Sequence, residues 1–366
     1  MVFAVLSLIA IAGFAGVSRL ANRYGEQQKA LARRMYARGL KDQKDGRPDR
    51  SIEDFRSALS YDRENFQYQL SLARALRDTG RTREAEAYLV NLWERSPQDG
   101  FVNLALGRLA ARQGLVDKAI QYYHNAAYGV WPSSAEVNRR NAEFELIDFL
   151  LKRGAQAQAE AELISLAATL PQDPALKIRV GQLFEQMGRH ERALPLFESS
   201  LQLDRSSAEA LAGAGNAAFH LGRYRVAETY LRRAVAADPQ NAQSKNLLET
   251  SSLVLQMDPF VRHLRSKERT RRLRAAFEHA GRRLESCITT TGSVASPDSP
   301  LLQLKSDWMQ MKFKLAHLTT TEGDTSDAAM DLISQIEQQT QNQCGPGSPP
   351  DRALLLLAAN RQGADQ

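Results

Sequence analysis

Only two cysteines, Cys287 and Cys344, occur in 366 residues. That excludes a disulfide scaffold and any four-cysteine zinc site, and no C-x-x-C pair is present. The six histidines (His124, His190, His220, His263, His279, His317) are scattered, with no H-E-x-x-H and no metal-ligand clustering. A Walker loop and a G-x-S-x-G elbow are both missing, and neither cysteine stands in a nucleophile context. The chain therefore offers no catalytic residue, no cofactor and no metal site, and an enzyme is not expected. Aromatic residues are scarce at 7%, and the net charge of +6 is too mild to imply nucleic-acid binding. What is abundant is helix-forming: Ala, Leu, Arg, Glu and Gln dominate, and 43% hydrophobic residues suffice for a sizeable core.

Long apolar runs are also missing, except at the start. "MVFAVLSLIAIAGFAGV" carries no charge over residues 1–17. At about 1.5 Å per residue it reaches roughly 25 Å, and Arg19 (by snorkelling), Leu20 and Ala21 extend it toward a ~30 Å hydrocarbon core. The segment predicts an uncleaved single-pass anchor over 1–18 with a juxtamembrane stretch over 19–31. A cleaved signal peptide, with Gly13-Phe14-Ala15 as its small-x-small site, is the rival, but the charged leader of such a peptide is missing. Arg19, Arg23, Lys29, Arg33 and Arg34 follow the run, so the positive-inside rule puts the bulk of the chain in the cytoplasm. An apolar run at residue 1 also suggests a start further upstream, and a basic leader there would reverse the orientation to an exported one.

Beyond that segment the chain repeats with a period of 34. Gly39, Ala73 and Gly107 share this spacing, as do Gly181 and Gly215. So do Ser51, Ala85 and Ala119, then Ala193 and Ala227; and Phe55, Leu89 and Tyr123, then Phe197 and Leu231. Gly46, Gly80, Gly114, Gly154, Gly188 and Gly222 mark a turn inside each unit. One more unit fits between 107 and 181, with extra residues near "WPSSAEV". Each unit reads as two short amphipathic helices with small residues at the crossing and an aromatic or Leu beside them. Neither helix buries its apolar face alone, so units must stack.

This pattern resembles the tetratricopeptide repeat family. Its small residue, Ala, aromatic or Leu, second Ala and Pro are matched best by Gly107, Ala119, Tyr123 and Ala126, and by Gly215, Ala227, Leu231, Ala234 and Pro239. Arg63, Trp131 and Arg205 depart at the proline position, and Ile147 departs at the small one. The resemblance covers six units over 32–241 and implies an all-α, right-handed superhelical solenoid. It also answers "LAGAGNAAFHLGRY", where Gly213, Gly215 and Ala218 mimic a G-x-G-x-x-A dinucleotide turn. Gly215 is in phase with the repeat, no β-branched strand precedes it, and the segment reads as helix.

The resemblance implies a concave groove lined by first helices. Carried over, its positions fall on Leu70, Arg74 and Arg77 in the second unit and on Leu104, Arg108 and Arg112 in the third. Arginines so placed would grip a protein or peptide partner, acidic in character, through bidentate hydrogen bonds, against the plainer reading of a solvated basic face. The Lys/Asn pattern of the family's chaperone-binding members is not found.

Residues 242–257 fit the solvating cap of an array, followed by a helical C-terminal module over 258–366. From Val261 to Arg283 the chain holds nine Lys or Arg against Glu268 and Glu278. A basic helix over 261–288, with Arg262, Arg265, Arg269 and Arg272, is the alternative working surface, for anionic lipid or, less well supported, nucleic acid. Leu264, Leu273, Phe277, Ala280 and Leu284 would be its buried stripe. After a linker near 289–300, Leu301, Leu304, Trp308, Met311, Leu315 and Leu318 mark another amphipathic helix. Cys287 and Cys344 end two of these helices, leaving one bridge open in an oxidising compartment and two free thiols in a reducing one. The arrangement also looks like a bacterial regulator of lipopolysaccharide assembly. That family's metal module rests on paired C-x-x-C motifs absent here, so its function is not carried over. The expectation is a non-enzymatic, membrane-anchored scaffold that binds a protein segment in its groove.

Overall fold

The computed structural model describes residues 2–261, 264–291, 299–317 and 323–364. Every named element among them is an α-helix, and the sole extended pairing is an isolated bridge between Asp99 and Val130. The chain divides into two compact units, Met1–Leu166 and Ala167–Gln366.

Unit 1 begins with α1 (Val2–Lys44), then α2 (Pro48–Tyr61), α3 (Phe66–Asp78), α4 (Thr82–Arg95), α5 (Gly100–Gln113), α6 (Val116–Ala127), α7 (Ala135–Lys152) and α8 (Gln156–Ala168). Unit 2 carries α9 (Pro174–Gln186), α10 (His190–Leu203), α11 (Ala208–His220), α12 (Tyr224–Ala237) and α13 (Ala242–Met257). It ends with α14 (Ser266–Thr291), α15 (Pro300–His317), α16 (Gly323–Cys344) and α17 (Pro349–Ala364).

The 34-residue period is written into both ends of the first helices. Asn65, Asp99, Asp173, Ser207 and Asn241 each precede one, and each side chain accepts a hydrogen bond from a first-turn N–H that the helix leaves unmatched. At the other end, Gly46, Gly80, Gly114, Gly154, Gly188 and Gly222 take φ between 68° and 79°. This left-handed conformation lets the next N–H close a six-residue loop on the helix, as in Leu115 N to Ala110 O at 2.9 Å and Arg223 N to Ala218 O at 2.9 Å.

Packing follows the same register. In α1, a Cβ added to Gly39 would lie 2.6 Å from the Phe55 ring; in α11, one added to Gly215 would lie 2.6 Å from Leu231 Cγ. The small residue and its bulky partner stand sixteen positions apart in each case, so the missing side chain is the space the partner fills. Gly215 and Gly213 sit inside α11 with helix before them, which disposes of the dinucleotide turn. Where Pro is missing, Trp131 fills the gap. It is buried edge-on to Phe101 at 4.8 Å between ring centres and donates Nε1–H to Ala126 O at 2.9 Å.

The expected membrane anchor is a correction. Among the described residues no helix is long and apolar enough to cross a membrane. The uncharged run stops at Val17, short of a bilayer core. Arg19 and Arg23 follow on the same helix, and α1 continues unbroken as a polar helix into the first repeat. The single-pass topology, and the cytoplasmic or exported assignment built on it, lose their basis.

The helices expected as a cap and a C-terminal module share a core with the end of the repeats. Tyr224 of α12 and Val254 of α13 belong to one buried cluster with Leu273, Phe277 and Leu284 of α14, Trp308 of α15, Ile333 of α16 and Leu354 of α17. Within it Phe277 and Trp308 stack at 5.7 Å, and Trp308 Nε1 donates to Phe277 O at 3.1 Å. Leu318 lies outside the described residues.

Candidate functional site

The six groove positions of unit 1 divide by depth. Leu70 is 1% exposed and part of the core; Leu104, at 7%, is also buried, so neither is available to a partner. On each helix the leucine and its two arginines lie at i, i+4 and i+7 or i+8, on one face, so the depth of each position is set by the neighbouring helices and not by the face alone.

The four arginines come together electrostatically, but three already have chain partners. Arg77 Nε and Nη2 donate to Asp78 Oδ1 at 3.0 and 2.8 Å, and this guanidinium is otherwise enclosed, the residue being 8% exposed. Arg112 Nη1 donates to Arg77 O at 2.6 Å and lies 3.8 Å from Asp78, tying α5 to α3. Arg108 grips Glu145 of α7 with both Nε, at 2.7 Å, and Nη2. Beneath this pair, burial and the neighbouring Glu145 push the Tyr123 hydroxyl up to about 12.

Among the described residues, Arg74 is the one of the four with no carboxylate paired to it, although Nη1 of Arg77 is also buried and unmatched. The Arg74 guanidinium lies over the Phe101 ring, 5.3 Å from the centroid, and its buried Nε has no hydrogen-bond partner. Burial, then Arg108 and Arg77, pull its pKa below the usual arginine value. A guanidinium stays charged regardless, so the shift reflects a charge held largely out of water, with two like charges nearby.

The basic helix reads differently from its sequence. Arg262 lies outside the described residues, and the helix begins at Ser266 rather than 261. Arg265 precedes it and is exposed, while Arg269 is partly buried with an unpartnered Nε. Arg272 turns back, donating to Leu255 O at 2.7 Å and Asp258 O at 3.2 Å and meeting Glu268 at 3.1 Å. Arg274 donates to Leu315 O at 2.8 Å. Arg283 donates to Thr340 Oγ1 at 2.9 Å, Gly345 O at 2.8 Å and Asp351 Oδ2 at 3.3 Å. These cations knit α13, α15, α16 and α17 to α14, an arrangement the charge count alone does not reveal.

Beside Arg283, Cys287 and Cys344 form a disulfide with Cα atoms 5.8 Å apart. Glu337 lies in the same network, fully enclosed, 3.2 Å from Arg283 Nε, with neither carboxylate oxygen hydrogen-bonded. Burial, then the Asp351 charge, hold its pKa up at about 8. His279 Nε2 meets Asp351 Oδ1 at 2.7 Å, and Ser348 caps the other oxygen through its hydroxyl at 2.7 Å, so the trio orders the start of α17. Sequence reasoning leaves the histidines scattered, yet His190 and His220 stack at 4.4 Å across α10 and α11. Among the described residues no three His, Cys, Asp or Glu are grouped to hold a metal.

Comparison with known proteins agrees with the repeat pattern. The tetratricopeptide repeat family model matches residues 43–109 and 185–249. No curated protein matches the sequence. Among solved structures, the C-terminal part of a repeat-containing protein from Cytophaga hutchinsonii is similar at 11% identity, covering 65% of this chain and 93% of that one, with a TM-score of 0.46. YrrB, described as a repeat protein with an unusual peptide-binding site, is 17% identical over 53% of this chain and 97% of its own, with a TM-score of 0.40. The TPR2AB domain of yeast Sti1, solved in complex with pHSP90, is 17% identical over 79% and 99%, with a TM-score of 0.33. None is close enough for its function to pass to this chain.

Proposed function

We propose that this chain, a tetratricopeptide repeat protein, is a non-enzymatic scaffold that holds an acidic segment of a partner protein against α3 and α5 of unit 1. Repeats of this kind serve as protein-interaction surfaces, and the finer assignment rests on Arg74. Four guanidinium groups share this surface with two carboxylates, Asp78 and Glu145. Arg77, Arg108 and Arg112 are held by those carboxylates and by backbone, which leaves Arg74 as the cation with no anion of its own. A partner carboxylate supplies the missing charge, and a charge-assisted hydrogen bond to a guanidinium is among the stronger polar contacts. The paired arginines act as positioning groups, so their loss would disturb α3, α5 and α7 as well as binding.

The test is a random dodecapeptide library displayed and selected on the full chain at about 0.15 M salt, where exposed charges are screened beyond roughly 8 Å. Recovered peptides should be enriched in Asp and Glu, and Arg74→Met should remove that enrichment with the thermal melt unchanged. Recovery of peptides with no acidic preference, or a preference that survives Arg74→Met, excludes the reading.

A further inference from the structure

A second concavity, wholly within unit 2, has the opposite chemistry. α9, α11 and α13 enclose a cavity of about 380 Å³ whose polar lining includes Gln182, Glu185, Glu209, Asn216, Asp238 and Asn241. Among the described residues lining it there is no Lys, Arg or His. Each carboxylate has one oxygen engaged by a neutral donor. Asn216 Nδ2 donates to Glu185 Oε1 at 2.8 Å, Gln182 Nε2 to Glu209 Oε1 at 2.6 Å, and the Gln240 amide to Asp238 Oδ1 at 3.0 Å. Among the described residues lining the cavity no cation balances the three, and the buried Asn216 Oδ1 has no donor.

We infer that this cavity receives a lysine or arginine side chain from an extended segment of a partner protein. A carboxylate taken partly out of water, as Glu185 is, is unfavourable unless it is protonated or paired with a positive charge. An ammonium group carries three donors and a guanidinium five, which matches a wall of unfilled acceptors. A bare metal ion fits worse, because the described carboxylates are not grouped closely enough to ligate one. The opposite charge of the cavity and its occupant is the argument for the occupant, and it stands independently of the arginine surface of unit 1.

Protonation provides a second handle. Burial holds Glu185 up at about 7, so near neutrality it is poised between its two forms. The titratable groups that line the cavity with it are Glu209 on α11 and Asp238 before α13; α10 contributes Phe197, and α13 contributes Gln243, Ser244 and Leu247. A cation entering this site favours the ionised form, so binding releases a proton and tightens as pH rises through 7.

The same dodecapeptide selection tests the inference if run at pH 8. It should return a second class of peptides carrying Lys or Arg at one fixed position. That class should vanish on Glu185→Gln and persist on Arg74→Met, so each reading can fail without the other. For one recovered peptide, fluorescence anisotropy should show affinity rising about tenfold from pH 6 to pH 8 on the unmodified chain and nearly flat on Glu185→Gln. Glu209→Gln, at the first turn of α11, should weaken binding severalfold while leaving the pH dependence in place, and thermal melts establish that both variants are folded. No basic class in the selection, or a basic class that Glu185→Gln leaves untouched, overturns the inference.

Discussion

At the scale of single residues, the strongest consequences come from ionisable groups whose surroundings do not suit their charge. Glu337 is fully enclosed, and its neighbour Arg283 is divided among Thr340, Gly345 and Asp351 as well. The folded chain therefore keeps Glu337 protonated until about pH 8, whereas an ordinary glutamate releases its proton near 4.5. Between those values the folded state holds a proton that the unfolded state does not, so stability falls as pH rises from about 5 to 8 and levels off above. Glu337→Gln keeps the shape and removes the titration. It should raise the melting temperature of unit 2 at pH 8, by an amount corresponding to roughly 1–3 kcal/mol, and flatten the melting profile over that range. Glu185, also raised, contributes to the slope that remains, and His190, lowered by burial, opposes it. Identical pH profiles for the variant and the unmodified chain would show that Glu337 is ionised in the fold.

At the scale of elements, glycines in two roles separate two physical costs. Gly154 sits at φ 73° with nothing within 4 Å of an added Cβ, so Gly154→Ala should cost only backbone strain, about 1–2 kcal/mol. Gly215 is helical, and its added Cβ meets Leu231 at 2.6 Å, so Gly215→Ala should cost about 1–3 kcal/mol through overpacking. Truncation of Leu231 to Ala should partly rescue the second variant and have no bearing on the first, as a double-mutant cycle in urea would show. These positions are legible in the sequence because their partners recur at a fixed offset: Gly39 with Phe55, Gly107 with Tyr123, Gly215 with Leu231. What the sequence hides is contact without an offset. Arg283 finds Thr340 and Asp351 at separations of 57 and 68 residues, and Arg272 turns onto carbonyls of α13, so a run of charge that reads as an outward face is in part an inward brace. The membrane expectation fails for a related reason: apolarity over residues 1–17 carries no sign of the unbroken polar helix that continues from it. For the groove, the helix carrying each position was legible, whereas the depth of Leu70 and Leu104 and the isolation of Arg74 depend on neighbours that no local pattern encodes.

At the scale of the whole molecule, each unit holds a buried hydrophobic cluster, around Phe55 and Leu76 in the first and around Phe277 and Trp308 in the second, and each is long enough to unfold as its own transition. The disulfide belongs to the second alone. It closes a separation of 57 residues from the end of α14 to the end of α16, and so restricts the unfolded chain of unit 2 without touching that of unit 1. On a loop-closure argument such a link contributes about 4 kcal/mol, less whatever the unfolded chain retains in compactness. Its position matters as much as its strength. α14, α16 and α17 pack on one another, and α14 and α17 pack on α13, which would otherwise expose Val254 at the end of the repeats. Loosening this assembly therefore uncovers the flank of the stack, because a repeat array is held by nearest-neighbour interfaces and is weakest at an uncovered end. Cys344→Ser should lower the melting transition of unit 2 by several degrees and leave that of unit 1 in place, and hydrogen exchange should locate the lost protection in α13 through α17. Equal shifts in both transitions would mean that the units unfold as one, and no shift in either would mean that the helix interfaces hold α14 and α16 together without the link.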